Sequence, residues 1–280
     1  MHHLKCEFGK LYRTRIICIM ILFLIAIAVL APISTYLDSI QYGYFEIAGS
    51  NPFQYWLLNY SSGWGCPLYL RLFFIFPILA TGLLYFSESV SSVRNIVVSK
   101  MGRCTYFSTK ILSVFISTFL IFLFFFLLNS LVTHICFQGE DITEEYKNIV
   151  PLRGSFAYSF YQISPLAMEI MYGFINSLAQ AILSVIALCI QLIGKFRNKY
   201  AAFIIPFFVM YLIDYITQIV AVSQLKRPFL CLTGIIQPSM CWSLTSAPSV
   251  SDLLFVFGVL FTLMICLVIV GVFRNGDLIE

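Results

Sequence analysis

Long runs of uncharged, apolar residues constrain this sequence more than any other feature. A membrane-spanning helix needs about 20 mostly apolar residues, and six runs meet that length, at about 16–36, 66–87, 111–135, 166–194, 200–221 and 253–273 of the 280 residues. The chain is 60% apolar and 11% charged, whereas about 25% of the residues of a soluble domain are charged. We therefore predict an all-α, polytopic membrane protein with six transmembrane helices in a single domain, 1–280.

The distribution of basic residues predicts how these helices are oriented. With the N-terminus in the cytoplasm, 12 of the 17 Lys and Arg residues fall in cytoplasmic segments and four in outer segments, while Arg71 lies inside a predicted span. Lys and Arg are enriched in the cytoplasmic loops of membrane proteins. The count therefore predicts that both termini are cytoplasmic.

The residues before the first apolar run carry their own pattern. Leu4, Phe8, Leu11 and Tyr12 recur at helical spacing, which predicts an N-terminal interfacial helix on the membrane surface. The alternative is a basic tail that only orients the first span. A signal peptide cleaved near 26–28 is the less favoured interpretation, because the apolar run continues past that point.

Two predicted outer segments, 34–65 and 222–251, are rich in Pro and Gly and so are not expected to be continuous helices. Their apolar residues, such as Trp56 and Ile236, predict that both segments fold back onto the outer face of the membrane. The spacing of Cys231 and Cys241 allows a disulfide bond but does not establish one.

The motifs of common enzymes are absent from the sequence. It contains no G-x-x-x-x-G-K-[ST] phosphate loop, no H-E-x-x-H and no G-x-S-x-G. No His and Cys residues have metal-ligand spacing, and a net charge of +4 is too small to imply nucleic acid as a partner. We therefore expect no enzymatic activity, no metal and no cofactor bound by this chain.

Three charged residues fall within or beside the predicted spans: Arg71, Glu169 and Asp214. A charge at the centre of a bilayer costs roughly 2.5–3.5 kcal/mol, so each needs a partner or a wet cavity. Because an α-helix rises about 1.5 Å per residue, the positions of Arg71 and Asp214 in their predicted spans place them at similar depth in the bilayer. We predict either an ion pair of Arg71 with Asp214 or Glu169, or three side chains that reach the interface separately.

The predicted cytoplasmic loop after the second span combines acidic, basic and aromatic residues. An acidic residue closes the span, and a basic–aromatic–Lys pattern leads into the third span. One interpretation is an ordinary basic loop; the other is a short coupling helix that docks on a cytoplasmic partner. The residues concerned are Glu88, Arg94, Lys100, Arg103, Tyr106 and Lys110.

With this loop, the chain resembles the permease subunits of ABC-2 type ABC transporters. Those permeases have an N-terminal interfacial helix, six spans, an acidic residue at the inner end of the second span and a basic–aromatic–Lys pattern before the third. They also have folded outer segments between the last two spans, like 222–251 here. The long first outer segment, 34–65, departs from many members and leaves the substrate-side architecture open.

The resemblance implies a multi-pass permease in the plasma membrane, expected to be bacterial. A separate ATPase subunit would hydrolyse ATP and dock on the coupling loop, and a second permease copy, identical or different, would complete the transporter. The expected cargo is lipid-like, peptide or drug-like. The alternatives are an ion-coupled carrier that uses Asp214, an intramembrane enzyme and a non-transporting membrane scaffold.

Overall fold

The computed structural model describes residues 2–41, 51–60, 63–81, 97–100, 102–139, 151, 155–194, 196, 198–223, 227, 230–238 and 248–274. Within these residues the secondary structure is helical. The helices are α1 (His2–Arg13), α2 (Arg15–Gln41), α3 (Pro52–Tyr55), α4 (Gly65–Leu72), α5 (Phe76–Thr81), α6 (Arg103–Cys136), α7 (Phe156–Ile163), α8 (Pro165–Gly194), α9 (Lys199–Ser223), α10 (Leu232–Ile235) and α11 (Val250–Arg274).

Five helices of the described chain are long and apolar enough to cross a membrane: α2, α6, α8, α9 and α11. They correspond to five of the six predicted spans, and α6 begins eight residues before the predicted start at 111. The second predicted span, 66–87, is different. Its described part forms α4 and α5, which a turn at 73–75 separates. Residues 82–90 lie outside the described residues.

Helix α8 is the centre of the bundle. It packs against α5, α6, α7, α9 and α11, and 78% of its most apolar stretch is buried, compared with 17% for α9 and 11% for α11. The exposed side chains of α9 and α11 are largely apolar, so they suit contact with lipid tails.

The ends of the helices show an antiparallel arrangement. One apolar cluster contains Leu11, Ile17, Tyr106, Leu188 and Leu192, and the end of α11 lies against it. The starts of α2 and α6 therefore meet the ends of α8 and α11, with α1 packed on α2 and α6. We call this end the basic end, after the Lys and Arg residues around it.

Three prolines each follow, by four residues, a carbonyl that a continuous helix would bond: Pro32 inside α2, Pro206 inside α9, and Pro77 at the second position of α5, after the turn 73–75. Proline has no N–H, so each one leaves the carbonyl four residues earlier without its usual donor. In a bilayer such a carbonyl has no water to bond with and must be satisfied by the protein.

Each freed carbonyl accepts a hydrogen bond from a buried carboxamide of α6 or α8. All three amide side chains are almost fully buried. Asparagine and glutamine at these helix faces therefore hold the proline-containing helices against the two central ones. The bonds run from Asn129 Nδ2 to the Ala28 carbonyl (3.0 Å), from Gln180 Nε2 to the Phe73 carbonyl (3.1 Å) and from Gln191 Nε2 to the Ala202 carbonyl (3.0 Å).

Two segments between the long helices fold into the protein core and do not lie on the membrane face. Trp56 and Ile236, which were predicted to cover the outer face, are fully buried. The Leu57 N–H donates to Asn129 Oδ1 (3.2 Å), and Asn176 Nδ2 donates to the Ile236 carbonyl (3.1 Å). Polar side chains of α6 and α8 thus fix both segments, 51–60 and 230–238.

Candidate functional site

The structure describes four of the six predicted coupling residues, and these four lie at the basic end. Glu88 and Arg94 lie outside the described residues. Lys100 is exposed at the end of a helical turn, 97–100, whose Val98 belongs to the apolar cluster of the basic end. Arg103 is the first residue of α6. Lys100 is therefore an exposed basic group in the described part of this segment.

Tyr106 and Lys110 are buried inside the basic end, so they do not form a docking surface. Lys110 is 2% exposed. Its Nζ donates to the Tyr106 hydroxyl (3.2 Å) and lies 5.1 Å from the centre of the Tyr106 ring. An ammonium group on an aromatic face is attracted to the ring electrostatically. Tyr106 also packs in the apolar cluster of the basic end with Leu11 and Leu188, so the start of α6 is attached to its neighbouring helices there.

Gly102 joins the helical turn 97–100 to α6. Its N–H donates to the Val98 carbonyl (3.0 Å), and its carbonyl accepts from the Tyr106 N–H (3.1 Å). The backbone has φ +76° and ψ 149°, a conformation that is essentially restricted to glycine. A residue with a Cβ would strain this joint.

Replacing Gly102 with alanine is expected to destabilise the protein by about 1 kcal/mol, because alanine is strained at positive φ. The space around a Cβ is empty at both Gly102 and Gly9, so crowding does not enter the comparison. Gly9→Ala, within α1, is the matched control and is expected to be neutral or stabilising. Unfolding of both variants in mixed micelles measures the difference between their free energies of unfolding. Equal stability of the two would contradict the role of the glycine joint.

Glu169 is held between two residues of α6. The carboxylate is 1% exposed and accepts a hydrogen bond from the Ser130 hydroxyl. Its Oε1 lies 3.4 Å from His134 Nε2. In this arrangement the Ser130 hydroxyl donates to the carboxylate and not to the imidazole. The arrangement links α6 to α8 at the end of the bundle opposite the basic end.

Asp214 is buried on α9 and is held by Thr233 of α10. The Thr233 hydroxyl donates to Asp214 Oδ2 (2.7 Å), and the Thr233 N–H donates to Oδ1 (3.3 Å). This carboxylate therefore attaches the folded-back segment 230–238 to a helix that is otherwise little buried.

Arg71 is exposed in the last turn of α4. Within the described residues, neither predicted carboxylate partner forms an ion pair with it, because Glu169 is bound by Ser130 and His134 and Asp214 by Thr233. The alternative, in which all three side chains reach the interface separately, does not hold for the two carboxylates, because Glu169 and Asp214 are buried inside the bundle.

A cavity of about 110 Å³ lies beside Asp214. Its walls come from α8, α9 and α11 and from the segment before α10, and most of the lining side chains are apolar. Phe255 and Val259 line it and are also exposed on the outside of the bundle. The cavity is therefore a lipid-side pocket with one carboxylate in its wall.

Sequence reasoning missed several polar residues that complete these sites. Ser130 and His134 are four residues apart, a spacing that puts them on one face of a helix and that signals a shared contact. Thr233 carries no such signal, because its contact with Asp214 depends on how 230–238 folds back.

The described part of the chain has no group of three or more His, Cys, Asp and Glu side chains placed to hold a metal ion. Comparison with protein-family models, with curated proteins and with solved structures finds no match to this chain.

Proposed function

We propose that this chain is the permease subunit of an ATP-driven exporter of the ABC-2 type. The observation that carries the proposal is the basic segment 97–110: an exposed Lys100 on a short helical turn, a glycine joint, and a buried Tyr106–Lys110 pair at the start of a spanning helix. A force applied to such a turn by a docked partner passes directly into α6.

The helix arrangement supports a six-pass topology. Because α2 and α6 both start at the basic end, the chain between them has to return across the bilayer. Helix α5 packs against α2, α6, α8 and α9, so, among the described residues, α4 and α5 are the helices that can contribute to that crossing. Helix α1 and the end of α11 lie at the basic end, and the excess of Lys and Arg supports a cytoplasmic location for both termini.

The remaining parts of the proposal follow from the resemblance of the sequence to ABC-2 permeases. A separate ATPase subunit hydrolyses ATP beneath the basic end, α1 lies on the cytoplasmic membrane surface, and a second permease copy completes the transporter in a bacterial plasma membrane. The cargo is lipid-like, peptide or drug-like.

A pull-down of the tagged chain from its native host in gentle detergent, followed by mass spectrometry, tests this function. We expect an ABC ATPase to co-purify. Charge reversal of Lys100 or Arg103 to glutamate is expected to reduce the recovered ATPase by about tenfold or more, because like-charge contacts at an interface cost several kcal/mol.

The matched control is Arg71→Glu, which reverses an exposed basic residue of α4 outside the coupling segment. It is expected to retain the ATPase. Clean recovery of the wild-type chain without any ATPase would overturn the proposed function. Loss of the ATPase in the Arg71 variant as well would contradict the assignment of the coupling site to residues 97–110.

An ion-coupled carrier is the second candidate, because Asp214 is a buried carboxylate on a little-buried helix. This function predicts transport without ATP that Asp214→Asn abolishes. Pull-down without an ATPase, together with no transport in either condition, would leave a membrane scaffold as the function.

A further inference from the structure

Asp214 differs from the other buried carboxylates in the described part of the chain. Four carboxylates are buried there. Three have a basic side chain nearby: Glu7 is 2.6 Å from Lys10, Glu169 is 3.4 Å from His134, and Asp252 is 3.3 Å from Arg227. Among the described residues, no Lys, Arg or His lies within 4.0 Å of Asp214.

The hydrogen bonds at Asp214 favour the ionised form of its side chain. Both carboxylate oxygens accept from Thr233, one from the hydroxyl and one from the N–H. A carboxylate accepts at both oxygens, whereas a neutral carboxyl group also carries an O–H that needs an acceptor of its own. An ionised carboxylate at a mostly apolar cavity is costly unless a cation neutralises it.

The adjoining cavity supplies the rest of a binding site. Its volume of about 110 Å³ suits a short alkyl chain or one small ring, given that a cavity of about 150 Å³ holds benzene. Leu183 of α8 and Met210 of α9 line its walls, and Phe255 of α11 stands between the cavity and the lipid-facing surface. A ligand therefore enters from the membrane with its apolar part in the cavity.

We propose that this pocket binds an amphiphilic organic cation, with its apolar part among α8, α9 and α11 and its ammonium group on the Asp214 carboxylate. Apolar walls with one precisely placed charged group are typical of ligand sites in which burial of the apolar part of the ligand gives affinity and the charged group gives selectivity. The proposal that the cation binds depends on the pocket alone. The further step, that this cation is the exported cargo, rests on the proposed function.

Cys231 provides a reporter inside the same cavity. Its side chain lines the pocket and is buried. Burial raises the pKa of the Cys231 thiol, so labelling is slow near neutral pH and is best followed at about pH 8, where an alkylamine with a pKa near 10.4 is still cationic. A bound ligand shields this thiol from N-ethylmaleimide.

The test uses the full chain in lipid nanodiscs with three probes that share one tail: hexylamine, hexanol and hexanoate. Peptide mass spectrometry follows maleimide addition at Cys231. We expect hexylamine to protect Cys231 at a concentration at least about tenfold lower than hexanol, which corresponds to one tenfold step in Kd. Hexanoate is expected to protect least, because Asp214 repels it.

Two variants separate the charge from the fold. Asp214→Asn keeps an acceptor for Thr233 and is expected to reduce protection by hexylamine to the level of hexanol. Thr233→Val removes the hydroxyl but keeps the carboxylate, and the preference for hexylamine is expected to persist. The rise in Tm that each probe causes gives a second readout that does not depend on the thiol.

Equal protection and equal Tm shifts by hexylamine and hexanol, or a preference for hexylamine that survives in Asp214→Asn, would overturn the proposed site. Neither readout involves an ATPase. If the pocket selects hexylamine but no ATPase co-purifies, the proposed site is supported and the export function is rejected. If an ATPase co-purifies but the pocket shows no charge selectivity, the export function is supported and the proposed site is rejected.

Discussion

Replacing Asn129 with leucine is expected to lower the free energy of unfolding by about 2–4 kcal/mol, because two buried backbone groups lose their partners at once. Asn129 donates to the Ala28 carbonyl and accepts from the Leu57 N–H. Leucine has a similar size but bonds with neither group. Titration with SDS in mixed micelles, followed by far-UV circular dichroism, measures the loss.

Two further variants make the Asn129 prediction specific. Leu131→Ala changes an exposed residue on the same helix and is expected to cost less than about 0.5 kcal/mol. Pro32→Ala restores an N–H that bonds with the Ala28 carbonyl, so Asn129→Leu is expected to cost less in that background. The Leu57 N–H stays without its partner, so the rescue is partial. A cost for Asn129→Leu no larger than that of Leu131→Ala would contradict this role.

Replacing Gln180 with leucine is expected to cost about 1–3 kcal/mol, because the Phe73 carbonyl then has no donor in an apolar environment. The carbonyl depends on Gln180 since Pro77, four residues later, has no N–H. In a Pro77→Ala background the alanine N–H takes over this bond. The same glutamine substitution is then expected to be much less costly.

A double-mutant cycle of Gln180→Leu and Pro77→Ala measures this dependence directly. We expect a coupling energy of at least about 0.5 kcal/mol, which is the lower range for residues that share one hydrogen-bond network. Additive effects within about 0.3 kcal/mol would show that the amide does not compensate for the proline. The cycle also tests whether the break between α4 and α5 depends on Pro77.

The long helices were predictable because their signal is local. Runs such as 166–194 and 253–273 correspond to α8 and α11 within a few residues, since a bilayer allows a long apolar segment few structures besides a helix. The second predicted span was less accurate. Pro77 was visible in the sequence, but the apolar run continued past it and masked the break at 73–75.

The partners of the buried polar groups were not predictable in the same way. Arg71 was the nearest candidate partner for Asp214 by depth along the helices, yet Asp214 bonds with Thr233 on a folded-back segment. Depth along a helix gives only one coordinate, whereas a hydrogen bond also requires the correct rotation of each helix and the correct neighbour.

The sequence by itself determined that the chain is helical, that it suits a membrane and that one end of it is basic, because composition, apolar length and charge count act residue by residue. The tertiary structure alone decided that Tyr106 and Lys110 are buried, that three amides cap three proline-freed carbonyls, and that Asp214 lies beside an apolar cavity. The bonds from Asn129 to Ala28 and from Gln180 to Phe73 join residues more than 100 positions apart, and the burial of Tyr106 and Lys110 depends on neighbouring helices. Only the packing of the helices against one another produces these arrangements.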